Sequence, residues 1–203
     1  GVLTETTADF AFSLLLASAR RIVDADNYVR AGHWKTWGPS ILLGRDLHEA
    51  TLGIIGFGAI GRAVAKRASG FDMKILYCKR TPIEPPEGIY ATPATIDQIL
   101  MQSDFVSLHV PLTTETRHLI GARELSLMKN SSILINTARG PVIDQEALVE
   151  ALRSGRPAKA ALDVTSVEPI DMNDELLSLP NVIIAPHIAS ASVATRLKMA
   201  NMA

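Results

Sequence analysis

The chain carries almost no cysteine. Cys78 is alone, so no intrachain disulfide can form, and a lone thiol suits a reducing compartment, read here as the cytoplasm. No His/Cys group has metal-ligand spacing, so no metal is expected. Neither sign of charge is in excess: 20 Lys and Arg face 21 Asp and Glu, for a net charge of −1. Without a basic run, the electrostatic footprint of a nucleic-acid binder is missing. Long hydrophobic runs are missing too. The longest apolar stretch, near residues 8–19, is too short and too interrupted to span a bilayer, so no membrane partner is expected. Acidic Glu5 and Asp9 stand where a signal peptide would be basic. What is present is 203 residues, 47% of them hydrophobic, enough to bury one sizeable core or a domain with an appendage.

The strongest positive feature is the run Gly53-Ile54-Ile55-Gly56-Phe57-Gly58-Ala59-Ile60-Gly61. Its G-x-G-x-x-G spacing follows an apolar strand at 51–55 and opens a helix at 59–69, which makes it far more specific than the spacing alone. Gly56 permits a tight strand-to-helix turn. Gly58, with no Cβ, lets a pyrophosphate approach the backbone, and Gly61 lets the helix pack close to the sheet. The helix N-terminus then offers unpaired N–H groups to phosphate, with Ala59 and Ile60 at its start.

Residues 4–28 read as one long helix, apolar nearly all round and so buried on several sides, with Thr6-x-x-Asp9 as an N-terminal cap pattern. Residues 31–46 read as an irregular arm bearing both tryptophans, Trp34 and Trp37. From residue 51 onward, strands and helices alternate. Strands are expected at 51–55, 74–78, 105–110, 132–136, 160–164 and 182–185. Helices are expected at 59–69, 95–102, 122–128, 145–154 and 174–179, with a proline-rich turn at 82–86. A last helix starts near Ser192 and runs to Ala203. Short apolar strands joined by helices fit a parallel sheet covered on both faces, the α/β doubly wound (Rossmann) dinucleotide-binding fold. The expected organisation is a single NAD(P)-binding domain over 1–203, with a helix and arm at 1–50, the sheet at 51–190 and a cut-off last helix at 191–203.

In such folds the second strand usually ends in an acid that binds the adenosine ribose hydroxyls. Here the strand at 74–78 runs into Lys79 and Arg80. Two cations attract a 2′-phosphate that an acid would repel, and arginine can pair with it bidentately. NADP(H) is therefore expected over NAD(H).

Three further segments follow sheet strands: Asn136-Thr137-Ala138-Arg139-Gly140, Asp163-Val164-Thr165-Ser166-Val167-Glu168-Pro169 and Pro186-His187-Ile188-Ala189-Ser190. With the glycine run, they resemble the D-isomer-specific 2-hydroxyacid dehydrogenases over essentially the whole chain, most closely the glyoxylate/hydroxypyruvate reductases. Reducing a 2-keto acid needs a proton donor, a clamp for the carboxylate and stabilisation of the carbonyl oxygen. His187 suits the donor, Glu168 would hold its other ring nitrogen, and Arg139 would grip the keto and carboxylate oxygens through its fork. The family uses its matching Arg, Glu and His in this way. His33, His48, His109 and His118 are read as structural or surface residues.

The resemblance implies further contacts. Val110, Pro111 and Thr116 would pass the adenosine and ribose. Thr137 and Ala138 would flank the nicotinamide, and Asp163 would accept from its carboxamide. The family commonly has Arg where this chain has Ala59. It also has a second, substrate-closing domain that is expected to be missing here, so this chain alone is expected to turn over poorly. The first helix and arm match the part through which the family forms homodimers, and Trp37, then Trp34, would reach the neighbour's active site. The expected substrate is a 2-keto acid such as glyoxylate or hydroxypyruvate. Two rival readings remain. One is an NAD-dependent relative acting on phosphoglycerate or another hydroxy acid. The other is a cofactor-sensing, corepressor-like binding protein.

Overall fold

The structure is a computed structural model, and it describes residues 1–81 and 83–202. Seven strands form one sheet in the order β3-β2-β1-β4-β5-β6-β7, and every pairing is parallel. They are β1 (Thr51–Ile55), β2 (Lys74–Cys78), β3 (Ala91–Pro93), β4 (Phe105–Leu108), β5 (Ile133–Asn136), β6 (Lys159–Leu162) and β7 (Val182–Ile184). The connecting helices are α3 (Ala59–Ser69), α4 (Ile96–Gln102), α5 (Ala122–Leu127) and α6 (Gln145–Arg153). The doubly wound α/β fold expected from the alternating pattern is therefore present.

Alternation along the strands divides the core into two layers. Leu52, Ile54, Phe105, Ile133 and Ile135 face the layer covered by α3 and by α1 (Thr4–Ala19). Val106, Leu108, Leu134 and Leu162 face the layer covered by α4, α5 and α6. Successive side chains of a strand point to opposite faces, so strands buried on both sides must be apolar throughout. The turn of direction lies between β1 and β4, where β1 pairs with β2 on one side and with β4 on the other. A ligand crevice opens at such a point in an open sheet.

The single helix expected at 4–28 is two helices. α1 ends at Ala19, Arg21 adopts a left-handed conformation (φ 55°), and α2 runs from Ile22 to Arg30. No glycine or proline marks the break; tertiary contacts make it. The Arg45 N–H takes the Ala19 carbonyl at 2.8 Å, so the helix cannot continue through that carbonyl. Asp24 is then held by Arg21 at 2.8 Å and Lys159 at 3.1 Å. α1 buries Ala8, Ala11, Phe12, Leu14 and Leu15, whereas α2 buries nothing. Thr6 is not a cap, because the helix starts at Thr4. Its hydroxyl instead lies 2.5 Å from that of Thr195 on the last helix, α7 (Val193–Ala200). α7 ends at Ala200, and the expected terminus at Ala203 lies outside the described residues. Pro82, the start of the expected proline-rich turn, lies outside them as well. β3 was not expected; it is a three-residue edge strand ending in proline. The short helix expected at 174–179 is a 3-10 turn over Glu175–Ser178. Among the described residues, no helix is long and apolar enough to cross a membrane.

At the switch point, Gly56 has φ +101° and presses against the His109 backbone. A Cβ on Gly61 would fall inside the Gly56 carbonyl, whereas one on Gly58 would meet nothing within 4 Å. Gly61→Ala should therefore lower the unfolding free energy by about 2 kcal/mol, while Gly58→Ala changes it by about 0.5 kcal/mol or less. Urea denaturation checks both, and equal effects would remove the close-packing explanation.

His109 follows β4, with its Nε2 2.8 Å from the buried Ser107 hydroxyl. Burial pushes its imidazole down from 6.5 to about 4. The unfolded chain thus takes up the proton first as pH falls. This contribution to stability is complete above about pH 6.5 and is lost on the way down to about pH 4, by about 3 kcal/mol. His109→Asn should flatten that part of the stability-versus-pH curve. An unchanged curve would assign the dependence to other groups.

Candidate functional site

All seven strands deliver their following loops to one edge of the sheet. β1 leads into the glycine turn and β2 into Lys79 and Arg80. β4 leads into Val110 and Pro111, β5 into Thr137 to Arg139, β6 into Asp163, and the segment after β7 carries His187. The motifs of the sequence therefore meet on the edge where open α/β sheets bind ligands.

His187 and Glu168 form a close polar pair there, with Nδ1 to Oε2 at 2.6 Å. Both side chains are partly exposed, at 49% and 38%. The other oxygen of Glu168 accepts the Thr165 N–H at 3.2 Å, and the Thr165 hydroxyl donates to the Val167 carbonyl at 2.7 Å. This small turn presents the carboxylate to the ring. His187 itself has φ +56°, an unusual conformation for a residue with a side chain.

What holds that conformation is Asp163. Its carbonyl accepts the His187 N–H at 2.9 Å, and its two carboxylate oxygens accept the Ile188 and Ala189 N–H groups at 2.8 Å each. Asp163 is 1% exposed. Burial pushes its carboxyl above the usual range, and the two N–H donors pull the other way. The resemblance implies a carboxamide acceptor at Asp163; in the structure its carboxylate also clamps the histidine turn.

Arg139 comes from the neighbouring loop. The buried Asn136 side chain braces that loop by accepting the Ala138 N–H and donating to the Arg139 carbonyl, both at 3.0 Å. Gly140 lets it touch the loop after β6, since a Cβ there would fall inside the Thr165 carbonyl. One Nη of Arg139 donates to the Ala138 carbonyl at 2.6 Å, and the rest of the exposed fork makes no hydrogen bond among the described residues. Thr137 is buried, and its hydroxyl has no hydrogen-bond partner among the described residues. A cleft of about 530 Å³ opens beside Glu168 and His187, lined also by Ile170, Leu177 and Ile184.

On the cofactor side, Phe57 is fully buried and stacks on Tyr77 at 4.2 Å, which anchors the glycine turn to β2. Lys79 is half-buried and Arg80 exposed, and neither has an ion-pair partner among the described residues. Glu115 lies within electrostatic reach of Arg80. The Thr116 hydroxyl donates to the Pro111 carbonyl at 2.6 Å and accepts the Thr113 N–H at 2.7 Å, so it braces its own loop. Trp34 and Trp37 are 62% and 79% exposed on the arm, away from any buried cluster. No group of His, Cys, Asp or Glu able to hold a metal occurs among the described residues.

Sequence reasoning assigned no role to the braces Asn136, Thr165 and Gly140. Asn136 was readable as a turn former after a strand. Thr165 and Gly140 were not, because their contact joins loops that are distant in sequence.

Comparison with known proteins agrees with this geometry. The family model for the D-isomer specific 2-hydroxyacid dehydrogenase, NAD binding domain, matches residues 12–189. A glyoxylate reductase of Korarchaeum cryptofilum is 56% identical over 206 residues, covering 100% of this chain and 61% of that protein. The chain thus spans about three fifths of the length of such curated relatives. The TT0316 protein from Thermus thermophilus superposes with a TM-score of 0.94 at 50% identity, over 98% of this chain and 63% of that one. A glyoxylate reductase from Paecilomyes thermophila gives 0.89 at 40% identity, over 98% and 60%. By this match over most of its length, and with a parallel sheet of the same fold, this chain belongs to the D-isomer specific 2-hydroxyacid dehydrogenase family and matches its NAD-binding domain.

Proposed function

We propose that this chain is the cofactor-binding part of an NADPH-dependent reductase that converts glyoxylate or hydroxypyruvate-type 2-keto acids to D-2-hydroxy acids. The observation that carries the proposal is the His187–Glu168 pair at 2.6 Å on the same rim as Arg139. The names of similar proteins, glyoxylate reductases, support the substrate class.

The residues present fit a dinucleotide. Gly58 leaves its approach open, and Thr137 holds a buried hydroxyl without a partner among the described residues. Gly56, Gly58, Ala59, Ile60 and Gly61 would cradle the pyrophosphate. Val110, Pro111 and Thr116 would border the adenosine ribose, and Thr137, Ala138 and Asp163 the nicotinamide. Lys79 and Arg80 would take the 2′-phosphate. When bound, the cofactor supplies a hydride to the carbonyl carbon. His187 gives a proton to the carbonyl oxygen from Nε2, while Glu168 accepts from Nδ1 and fixes the ring. Arg139 holds the substrate carboxylate with its free N–H groups and stabilises charge growing on the carbonyl oxygen. Asp163 keeps His187 in its left-handed turn throughout. Positioning the substrate and excluding water from the rim would complete the reaction. The exposed α2 and the arm with Trp34 and Trp37 form a homodimer contact. The lone Cys78 agrees with a cytoplasmic protein.

Steady-state kinetics of the full-length protein test the reading. His187→Gln should lower kcat with glyoxylate by about a thousandfold while cofactor affinity stays near its starting value. Near-normal turnover would remove His187 as the acid. No turnover of any 2-keto acid by the unaltered protein, with cofactor binding intact, would favour a sensing role. Replacing Lys79 and Arg80 by Asp and Pro should weaken NADPH by about a hundredfold and reverse the preference toward NADH. Unchanged relative affinity would end the 2′-phosphate assignment, and a monomer in sedimentation would end the dimer assignment.

A further inference from the structure

Glu168 stands on a segment that little burial holds. Ser166, Val167, Pro169, Asp171, Met172 and Asn173 are exposed around it, and Ile170 and Asp174 are only half-buried. A chain with so few buried contacts opens easily, and a carboxylate carried on it would drift from its partner unless something fixed the path. Thr165 holds one side, through its N–H to Glu168 and its hydroxyl to the Val167 carbonyl. The remaining bonds within the segment are local, with Asp171 accepting the Asn173 N–H at 2.8 Å and the Asp174 N–H at 2.9 Å. The hold from outside comes from a side chain on another element, Gln145.

Gln145 is the first residue of α6, which follows the Arg139 loop after one 3-10 turn over Gly140–Val142. The helix is well seated: Leu148, Val149 and Leu152 are buried, and Asp144 caps it by accepting the Ala147 N–H at 3.2 Å. From this base, Gln145 Oε1 accepts twice from Ser166, from the N–H at 2.9 Å and from the hydroxyl at 2.8 Å. Its Nε2 donates to an Asp174 carboxylate oxygen at 2.6 Å. A backbone N–H can only donate and a carboxylate can only accept, so these partners fix which way the amide points. The other Asp174 oxygen accepts the Leu176 N–H at 2.9 Å and starts the 3-10 turn whose Leu177 lines the cleft beside His187. One amide thus pins both ends of the excursion 166–174, and Glu168 lies between the pins.

We infer that Gln145 is a positioning residue for the proton donor: by clasping Ser166 and Asp174 it holds Glu168 against His187 Nδ1, in register with the loop that carries Arg139. This rests on the reading of His187 as the acid. The neighbouring supports are separate. Asp163 holds the His187 backbone, and Asn136 braces the Arg139 loop. Without the clasp, the ring keeps its place but loses the partner that sets its rotation, while the substrate grip of Arg139 survives. A small misplacement of a reacting group costs rate more than binding. The loss should therefore fall on kcat.

Steady-state kinetics of the full-length protein with glyoxylate test this. Gln145→Leu should lower kcat about tenfold, while KM for glyoxylate and the affinity for the cofactor stay within about twofold. Gln145→Glu keeps an acceptor for Ser166 but sets a second carboxylate against Asp174, so kcat should fall here too. Adding Asp174→Asn returns a donor from the opposite side of the same bond, and kcat should recover to within about twofold of the unaltered protein. A residue that serves stability alone would shift the unfolding midpoint and leave kcat per folded molecule unchanged. Unchanged kcat in Gln145→Leu, a loss carried by KM, or no recovery in the double variant would each overturn the assignment. His187→Gln separates this inference from the reading beneath it. Lost turnover there with full turnover in Gln145→Leu sinks the positioning role alone, whereas near-normal turnover there sinks both.

Discussion

The candidate catalytic edge depends on a buried carboxylate held by backbone N–H groups, with no salt bridge to Lys or Arg among the described residues. Asp163 is satisfied by backbone N–H groups alone, two on its carboxylate and a third on its carbonyl. A carboxylate buried in this way is costly unless its lone pairs are filled, and filling them with amides fixes the path of the chain that carries those amides. The path fixed here is the turn at 187–189. His187 sits at φ +56° because the two residues after it are bound to the end of β6. The 2.6 Å bond to Glu168 then sets only the rotation of a ring whose backbone is already placed. The pair is geometrically defined despite its exposure because its rigidity comes from beneath.

The same edge is drawn together by close approaches of one backbone to another. Gly56 lies against the backbone of His109, Gly61 against the Gly56 carbonyl, and Gly140 against Thr165. At each point a methyl group would separate two loops that have to touch. Two of these approaches close the first strand-to-helix turn onto its neighbours, and the third brings Arg139 beside the Glu168 turn. Gly58 is different, because no protein atom fills the space beside it. A glycine with nothing to avoid inside the domain has its reason outside it, consistent with a ligand at the helix N-terminus.

These contrasts explain what could be read from the sequence. Strands 51–55 and 74–78 and helix 59–69 stand at the expected residues, because apolar alternation and the glycine run mark both ends. The break at Arg20 and Arg21 had no such mark. Neither residue is glycine or proline, and the helix stops because a chain segment more than twenty residues later takes its last carbonyl. β3 was hidden because three residues show no period. The site divides along the same line. Arg139, Glu168 and His187 could be named from their segments, since their chemistry is local to them. The clamp by Asp163 could not, since the amides that it binds are 25 and 26 residues away and no side-chain pattern announces them.

The arm shows the limit of burial as an organising force within one chain. α2 buries no residue, and it exposes Ile22, Val23 and Val29; the arm beyond it exposes Trp34, Trp37 and Leu43. A nine-residue helix is too short to be stable by propensity, so something must hold it. Inside this chain, that hold includes the ion cluster of Arg21, Asp24 and Lys159. Partly exposed ion pairs contribute little, about 1 kcal/mol or less each. They can direct a helix, but they cannot supply the stability that apolar burial would. An exposed apolar surface on an element so lightly held gains most from a covering partner. Orientation by charge and cover for the apolar surface are thus separate requirements of this arm, with the charge cluster at its root and the apolar surface along its length.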